Sequence, residues 1–363
     1  MRILQIVDGD RWTGPAAVVF DQTAALRAAG VEAQFAFFGD SLLSERLLPL
    51  GWARPLLRRT REPVSYARLV RALRETILRE EFDAVHAHRS FDHTAAAMGV
   101  RGTPARLLRT LHHIRHARPD PITRLVFGRT DGFAYANREI AAAFGRPGPV
   151  LAPVVDTERF RPDGVRAEVR RRLGLPADRL LLGTVGKVSR GRGHEEAIEA
   201  AARLPADTVM VHVGHGEHLE TLRGRAAALG SGDRNLWLGY QEESLPDLYR
   251  SWDVFLFTAS GSDQGQRAIL EAMASGLPVA ALDVPGVRDL VTDGVEGLVA
   301  GSMPELSAAL DRLTGDPRLR GEMSRAARAR SLAFTGRKFV ERAMPFYEEA
   351  LGALSAESAA RTS

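Results

Sequence analysis

The feature that most constrains the fold is a strand–loop–helix pattern that occurs twice along the chain. The first copy runs from the apolar segment 3–7 to a helical pattern over 16–29, and the second from 180–185 to 195–203. In both copies a loop that contains glycine joins the strand to the helix. This unit opens a doubly wound α/β domain, so the sequence predicts two such domains.

Further short apolar runs lie between helical patterns in both halves of the chain. Such unbroken runs are typical of strands that are buried on both faces of a parallel sheet. The predicted strands are 33–38, 84–87 and 106–111 in the first half, and 209–213, 254–257 and 278–282 in the second.

The boundary between the two domains is predicted from a segment of poor periodicity that prolines punctuate. Pro153, Pro162 and Pro176 interrupt this segment. The chain ends in an amphipathic pattern followed by small polar residues, which predict a final helix and a disordered tail. The predicted parts are a first domain over 1–165, a second domain over 166–335, a helix over 336–354 that packs back on the first domain, and a tail over 355–363.

Composition narrows the class of protein. A chain of 363 residues exceeds the usual size of one domain, and 45% hydrophobic with 26% charged residues fits a globular protein with real cores. The absence of cysteine excludes disulfides, thiolate metal sites and cysteine nucleophiles. No apolar run is long enough to span a bilayer, and the N-terminus does not read as a signal peptide. We therefore expect a cytoplasmic protein.

The segment 261–280 carries the strongest chemical signal. It predicts a polar loop after a strand, and then a helix over 267–275 that Gly276 ends. Unpaired backbone amides at a helix N-terminus bind phosphate. Asp263 in the loop and Glu271 in the helix are eight residues apart, so their carboxylates can bracket the hydroxyls of one ligand. A sugar diphosphate needs this combination of groups.

The segment resembles the acidic-x7-acidic motif of family 4 glycosyltransferases, which have the GT-B fold. The chain keeps Glu271 and the tail 272–279. It departs from the family at Asp263, one methylene shorter than the usual glutamate, and at 264–266, where Gln-Gly-Gln replaces Gly-Phe-Gly. The resemblance implies an α/β protein with two Rossmann-like domains facing across a cleft. It also implies a retaining, nucleotide-sugar-dependent enzyme whose second domain binds the donor and whose first domain binds the acceptor.

A basic loop after the strand 180–185 resembles a second motif of the same family, Gly-Arg-Leu-x-x-x-Lys-Gly. Its two basic residues are exchanged, with Lys187 at the arginine position and Arg192 at the lysine position, for which Arg190 is the alternative. The chain has only two lysines, so its arginine-rich composition does not explain Lys187. The resemblance implies that both cations neutralise the leaving diphosphate as the glycosidic bond breaks.

Other segments resemble the family in the same order. The turn 213–217 and the stretch that reaches Tyr240 lie where the family binds the nucleobase. Gly14 lies where the family has a Gly-Gly loop against the donor phosphate, and glycine allows that close approach. His112, in a Thr-Leu-His sequence, would lie at the mouth of the cleft near the sugar.

The resemblance thus implies roles for particular residues. Asp263 would position the sugar, Glu271 the ribose and His112 the reacting sugar face. The leaving phosphate itself can serve as the base toward the acceptor hydroxyl. No metal and no cofactor are implied, because the nucleotide sugar, for which the family suggests UDP, is a substrate. The predicted catalytic residues are His112, Lys187, Arg192 and Asp263, and the predicted substrate-binding residues are Gly14, Tyr240, Gly265, Gln266, Arg267, Ala268 and Glu271.

Histidines and arginines each raise an alternative interpretation. Six of the ten histidines lie between His86 and His116, and His86 and His88 share one face of a strand, as two metal ligands would. Without acidic neighbours, we favour satisfied polar groups around an acceptor pocket. The stretch 46–79 holds nine arginines and two acids. It is a candidate for peripheral contact with the inner membrane face or a solvated helix face. Nothing in it resembles a nucleic-acid-reading motif.

Two other functions remain open beside glycosyl transfer. A sugar-nucleotide epimerase or a phosphorylase can share this architecture, and donor hydrolysis or epimerisation without an acceptor would favour it. A catalytically silent binding subunit could keep the fold, and donor binding without turnover would favour that. The acceptor, whether saccharide, lipid-linked or a small molecule, leaves no signature that we can read.

Overall fold

The structure is a computed structural model in which the chain forms two compact units. Unit 1 comprises Met1–Val154 and Gly336–Ser363, and Unit 2 comprises Val155–Thr335. The described residues are 1–8, 14–38, 44, 47–56, 60, 62–117, 120–164, 166–259 and 266–362.

Unit 1 is built on a six-stranded sheet in which every pair of neighbouring strands is parallel, in the order β3-β2-β1-β4-β5-β6. Its strands are β1 (Arg2–Val7), β2 (Glu32–Phe38), β3 (Ala53–Leu56), β4 (Ala84–Ala87), β5 (Arg106–Leu111) and β6 (Gly132–Tyr135). Its helices are α1 (Gly14–Ala28), α2 (Pro63–Arg79), α3 (Ser90–Gly99), α4 (Pro121–Phe127), α5 (Arg138–Phe144) and, at the end of the chain, α14 (Gly336–Thr362).

Successive side chains of β1 point to opposite faces of the sheet, and each face is covered by helices. Leu4 and Ile6 pack in one core cluster with Leu69 of α2. Ile3 packs in the other with Phe339 of α14. Both faces of the sheet are therefore buried, as the unbroken apolar strands predict.

Unit 2 repeats this architecture with a parallel sheet in the order β12-β11-β10-β7-β8-β9. Its strands are β7 (Leu180–Val185), β8 (Thr208–Val213), β9 (Asn235–Trp237), β10 (Val254–Phe257), β11 (Val279–Leu282) and β12 (Gly297–Ala300). Its helices are α6 (Arg166–Arg172), α7 (His194–Ala202), α8 (Leu219–Ala228), α9 (Leu245–Ser251), α10 (Gln266–Ala274), α11 (Val287–Leu290), α12 (Met303–Gly315) and α13 (Pro317–Ser331).

The predicted fold class, two Rossmann-like α/β domains with parallel sheets, is confirmed. Four strands have no counterpart in the sequence-based prediction, and they are the edge strands β3, β6, β9 and β12. Each has only three or four residues, too few for a clear apolar run, whereas most of the central strands that were predicted are longer.

The division of the chain differs from the predicted boundary. The first segment of Unit 1 ends at Val154 instead of residue 165. The final helix belongs to Unit 1. It begins close to α1, since a Cβ added at Gly336 would lie only 3.1 Å from the side chain of Ala25. The helix continues to Thr362, over residues for which the sequence predicts a disordered tail. Among the described residues, none of the helices combines the length and apolar character needed to cross a membrane.

Candidate functional site

Sheet topology indicates where Unit 2 would bind a ligand. The first strand of this unit, β7, has β10 on one side and β8 on the other, so the chain leaves it in two directions. Ligands of open parallel sheets bind outside the carboxyl ends of the strands at such a switch point. The candidate site therefore lies where β7 and β10 end, at Val185 and Phe257.

The segments that follow these two strands are joined by a close backbone contact. Thr258 Oγ1, directly after β10, donates to the carbonyl oxygen of Gly193 at 2.5 Å. Gly193 has a φ of +84°, and a Cβ added there would lie 2.4 Å from the carbonyl carbon of Thr258. Only glycine allows this close approach of the two backbones. The contact fixes the start of α7 beside the end of β10.

Two of the predicted cations lie in the loop 186–193 after β7, which we call the lysine loop. Lys187 is exposed, and its Nζ lies 3.2 Å from Glu217 Oε2. A backbone N–H and then Lys187 lower the pKa of the Glu217 carboxyl. Arg192 is half-buried, and burial lowers the pKa of its guanidinium. With the exposed Arg190, the loop thus carries two solvent-facing positive charges and one partly buried one.

The turn 214–217 after β8, which we call the glutamate turn, packs directly on the lysine loop. Gly214 has a φ of +139°, and a Cβ added there would lie 1.8 Å from the carbonyl oxygen of Gly186. The N–H of Val188 donates to the carbonyl oxygen of His215 at 3.0 Å. These backbone contacts hold the two segments in register, so Lys187 and Glu217 are placed together.

Buried polar side chains lie at the start of α7 and on β8 and β9. His194 Nδ1 is 3.3 Å from His212 Nδ1, and His212 Nε2 is 2.9 Å from Asn235 Oδ1. The His212 ring stacks on Trp237 with 4.0 Å between ring centroids. Burial lowers the pKa of His194 to about 4 and that of His212 to about 3. Both imidazoles are therefore neutral at pH 7 and support the start of α7.

The helix α10 presents the carboxylate that the motif predicts. The side chain of Glu271 is 7% exposed, and Arg267 Nε donates to its Oε1 at 2.9 Å. Tyr249 Oη donates to Glu271 Oε2 at 3.1 Å. Burial and the neighbouring carboxylate raise the pKa of Tyr249, so its hydroxyl stays a donor. Two donors thus fix the orientation of Glu271 and leave lone pairs on each oxygen.

The first turn of α10 contains three more predicted residues. Gln266 begins the helix, and its Nε2 donates to the carbonyl oxygen of Pro285 at 2.9 Å. Arg267 and Ala268 follow it, and the Ala268 carbonyl oxygen lies 3.3 Å from Tyr249 Oη, whose single proton it shares with Glu271. Asp263 and Gly265 lie outside the described residues.

Tyr240 lies beyond the end of β9 with its ring largely in solvent. Its side chain is 56% exposed, and its hydroxyl donates to Glu242 Oε2 at 3.1 Å. The ring meets His215 of the glutamate turn edge-on, with 6.0 Å between centroids. Tyr240 is therefore linked to the lysine loop through the glutamate turn, and it presents an aromatic surface to solvent.

Unit 1 has its own switch point, between β1 and β4. Gly14 is the first residue of α1, the helix that follows β1. His112 follows β5, is 7% exposed, and its Nε2 lies 3.0 Å from His88 Nδ1. The structure thus places the predicted residues of Unit 1 at the carboxyl edge of its sheet.

His86 of β4 and His88, which directly follows this strand, face the same side of the sheet, as predicted. His86 and His88 stack with 4.5 Å between ring centroids. Their ring nitrogens lie within hydrogen-bonding distance of polar side chains, including Thr110 and Gln5. Within the described parts of the chain, no group of three or more His, Cys, Asp or Glu side chains is arranged to hold a metal ion.

The opposite face of this edge holds a fully buried ion pair. Arg109 Nη1 lies 3.6 Å from Asp92 Oδ1. Asp92 also accepts the backbone N–H groups of Asp8 and Arg89, at 3.1 and 2.7 Å. Burial raises the pKa of Asp92 and lowers that of Arg109, and the attraction between the two charges opposes both shifts. These contacts hold the carboxyl ends of β1 and β4 together.

The arginine-rich stretch 46–79 contributes α2, whose apolar face is buried in Unit 1. Arg71 Nε donates to Glu75 Oε1 at 2.8 Å, and Arg54 Nη2 donates to Glu80 Oε2 at 2.8 Å. These acids reduce the positive charge that anionic lipid would meet. Membrane contact stays a prediction.

Sequence reasoning did not single out several residues that the structure brings into these sites. Glu217 lies in the turn 213–217 but received no role of its own, and Tyr249 was not singled out. Only the fold reveals their contacts with Lys187 and Glu271. Gln5 offered a clear signal, since it is a polar residue within an otherwise apolar buried strand.

A helix N-terminus, a fixed carboxylate and two cations at one switch point suit a ligand with phosphates and vicinal hydroxyls. Comparisons with known proteins agree with that chemistry. The family model described as "Glycosyl transferases group 1" matches residues 165–330.

Curated relatives are similar over most of the chain. A D-inositol 3-phosphate glycosyltransferase of Geodermatophilus obscurus is 31% identical over 331 residues, which cover 79% of this chain and 72% of that protein. The lipopolysaccharide core biosynthesis mannosyltransferase LpsB of Rhizobium meliloti is 30% identical over 227 residues, 60% of this chain and 64% of that protein.

Solved structures show the same fold over nearly the whole chain. Anabaena Alr3699/HepE, in complex with UDP and glucose, aligns with a TM-score of 0.83 and 20% identity over 95% of this chain and 98% of that one. At this identity the likeness concerns the fold alone.

Proposed function

We propose that this chain, which belongs to the group 1 glycosyltransferases, moves a hexose-type sugar from a nucleoside diphosphate sugar to an acceptor hydroxyl. The observation that carries the proposal is the arrangement at the switch point of Unit 2. There the lysine loop is bound through Gly193 to the segment after β10, and α10 follows with its fixed Glu271.

The diphosphate would bind at the start of α10 and near the lysine loop. Backbone N–H groups at Gln266, Arg267 and Ala268 point along the helix axis toward its N-terminus, where phosphate is stabilised. Lys187 and Arg192 would neutralise the charge that develops on the leaving diphosphate. The side-chain amide of Gln266 is bound to Pro285, so its part in binding would be that of its backbone.

The nucleoside and the sugar would be held by the remaining predicted residues. Glu271 would accept hydrogen bonds from the ribose hydroxyls, for which its two protein donors orient it. Tyr240, exposed and next to the glutamate turn, would lie near the base. Asp263 would bind sugar hydroxyls. In Unit 1, His112 would contact a hydroxyl of the sugar substrate, and Gly14 would allow close approach of backbone to phosphate.

The finer assignment rests on resemblance and on the chemistry of relatives. The acidic-x7-acidic motif over 263–271 supports family 4 and retention of anomeric configuration. The name of the Anabaena structure includes UDP and glucose, and this supports a UDP-sugar as donor without a separate cofactor. The names of the relatives, a mannosyltransferase and an inositol phosphate glycosyltransferase, support a hexosyl group and a saccharide or glycolipid acceptor. They do not favour the epimerase and silent-subunit alternatives.

Binding and turnover can be tested separately. We expect one nucleoside diphosphate from a panel to raise the melting temperature, since ligand at 100 times its Kd adds about 2.7 kcal/mol to stability. We then expect the matching nucleotide sugar to be consumed with an acceptor and the product to keep the anomeric configuration in an NMR spectrum. A panel without any shift would contradict the proposal. Binding without transfer to any acceptor would favour the silent subunit, and epimerised donor would favour the epimerase.

A further inference from the structure

A chain of buried hydrogen bonds runs through Unit 1 from His112 to the last helix of the protein. All of its members are at most 1% exposed except His112, which is 7% exposed. Only His112 has a role in the proposed function. In order from that histidine, the members are His112, His88, Gln5, Tyr347, His86 and Thr110.

The amide of Gln5 sets the direction of this chain. Its Nε2 donates to Tyr347 Oη at 2.8 Å, and its Oε1 lies 2.7 Å from His88 Nε2. An amide oxygen only accepts, so His88 must carry its proton on Nε2. Reversing the chain would require the amide to rotate and every other proton in the chain to move.

The direction set by Gln5 also determines where the protons lie from Tyr347 to Thr110. Tyr347 accepts from Gln5, so its one proton goes to His86 Nδ1, 2.8 Å away. A neutral His86 then carries its proton on Nε2 and donates to Thr110 Oγ1 at 2.7 Å. Each donor on this side is matched by one acceptor.

The protons between Gln5 and His112 decide which tautomer His112 adopts. A neutral His88 with its proton on Nε2 has a lone pair on Nδ1, so His112 Nε2 must donate across the 3.0 Å that separates the two atoms. Burial lowers the pKa of His86 and of His112 to about 3, and it lowers that of His88 well below its ordinary value. Each ring therefore carries a single proton at pH 7.

We propose that Gln5 and Tyr347 are positioning residues that hold His112 as the Nε2–H tautomer, so that its Nδ1 accepts a hydrogen bond from a substrate hydroxyl. The role of that hydroxyl rests on the proposed function. Helix α14 supplies the hydroxyl at the centre of this hydrogen-bond chain, which is that of Tyr347. The Tyr347 ring packs in a core cluster with Phe339 and Phe346. The C-terminal helix thereby contributes to the state of a residue at the carboxyl edge of the sheet.

The tautomer is measurable by long-range 1H–15N NMR of histidine-labelled protein without substrate. The His112→Asn spectrum assigns the signal. We expect wild-type His112 to show a protonated Nε2 and an unprotonated Nδ1. Tyr347→Phe removes the acceptor of Gln5 and the donor to His86, so both tautomers should then be populated. In transfer assays kcat should fall about tenfold with little change in donor KM.

Two further variants separate positioning from packing. Phe346→Leu disturbs the same part of α14, where Phe346 contacts the His86 ring but makes none of the hydrogen bonds of the chain. It should keep the His112 tautomer and kcat. Gln5→Glu supplies an acceptor to His88 without help from Tyr347 when the carboxylate is ionised, so adding it to Tyr347→Phe should restore both the tautomer and kcat.

The outcomes distinguish this proposal from the proposed function. A wild-type His112 with its proton on Nδ1 overturns the proposal, even if Tyr347→Phe fails to fold. Equal losses in Phe346→Leu and Tyr347→Phe also overturn it. If the wild-type tautomer is as expected but no nucleotide sugar is turned over, the proposed function fails and the tautomer assignment stands.

Discussion

Replacing Lys187 by alanine should separate catalysis from stability more cleanly than other changes at the site. The Lys187 side chain is 54% exposed, and that of its ion-pair partner Glu217 is 68% exposed. An ion pair in such surroundings contributes little to stability, because water and salt screen it. We therefore expect the melting temperature of Lys187→Ala to stay within about 2 °C of the wild type.

The expected loss in transfer is much larger. If Lys187 faces the leaving diphosphate, the charge that it stabilises develops only as the glycosidic bond breaks. Removing one such preorganised charge costs on the order of 10²-fold in kcat, or about 2.7 kcal/mol of transition-state stabilisation. Lys187→Arg should recover part of this loss, since it keeps the charge but changes its position.

The chain offers a matched control in its other lysine. Lys338 lies on α14, is 40% exposed, and its Nζ is 2.6 Å from Glu341 Oε2. Lys338→Ala removes the same charge from a similar ion pair, and it should leave both kcat and the melting temperature unchanged. The assay is steady-state release of the nucleoside diphosphate at saturating donor and acceptor. Transfer by Lys187→Ala within a few-fold of the wild type, or an equal loss in Lys338→Ala, would refute the diphosphate role.

Other parts of the structure lead to three further predictions. Tyr249→Phe removes a buried donor to Glu271, so we expect a loss of about 1–2 kcal/mol in urea denaturation and weaker nucleoside diphosphate binding by calorimetry. Gly214→Ala should destabilise by more than about 2 kcal/mol, because its Cβ would lie 1.8 Å from a backbone oxygen, whereas Gly224→Ala in α8, with nothing within 4 Å, should be neutral or stabilising. The folded-state pKa of His194, about 4, lies below its ordinary value, so the unfolded chain binds the proton more readily. Stability should therefore be complete above pH 6.5 and fall as the pH drops toward 4, with a shallower fall in His194→Gln.

The sequence allowed the central architecture and the donor motif to be predicted because both depend on local pattern. Most central strands of the two sheets are unbroken apolar runs, and the glycine that ends α10 and the acid at Glu271 stand at fixed spacings within one segment. Edge strands escaped prediction because they are short and pair on one side only. The first boundary was placed late, since the prolines at 162 and 176 mark loops within Unit 2 as well as the passage between units.

What the sequence by itself determined is the set of chemical groups and their order: two α/β units with parallel sheets, a helix start proposed to bind phosphate, a lysine loop and a cluster of histidines. Tertiary structure alone decided which polar atoms meet. Gln5 and Tyr347 are 342 residues apart, yet they share a hydrogen bond of 2.8 Å in the core of Unit 1. The local periodicity of the sequence does not reveal such long-range pairs. They arise because burying a polar group is costly without a partner, and only the packed fold supplies one.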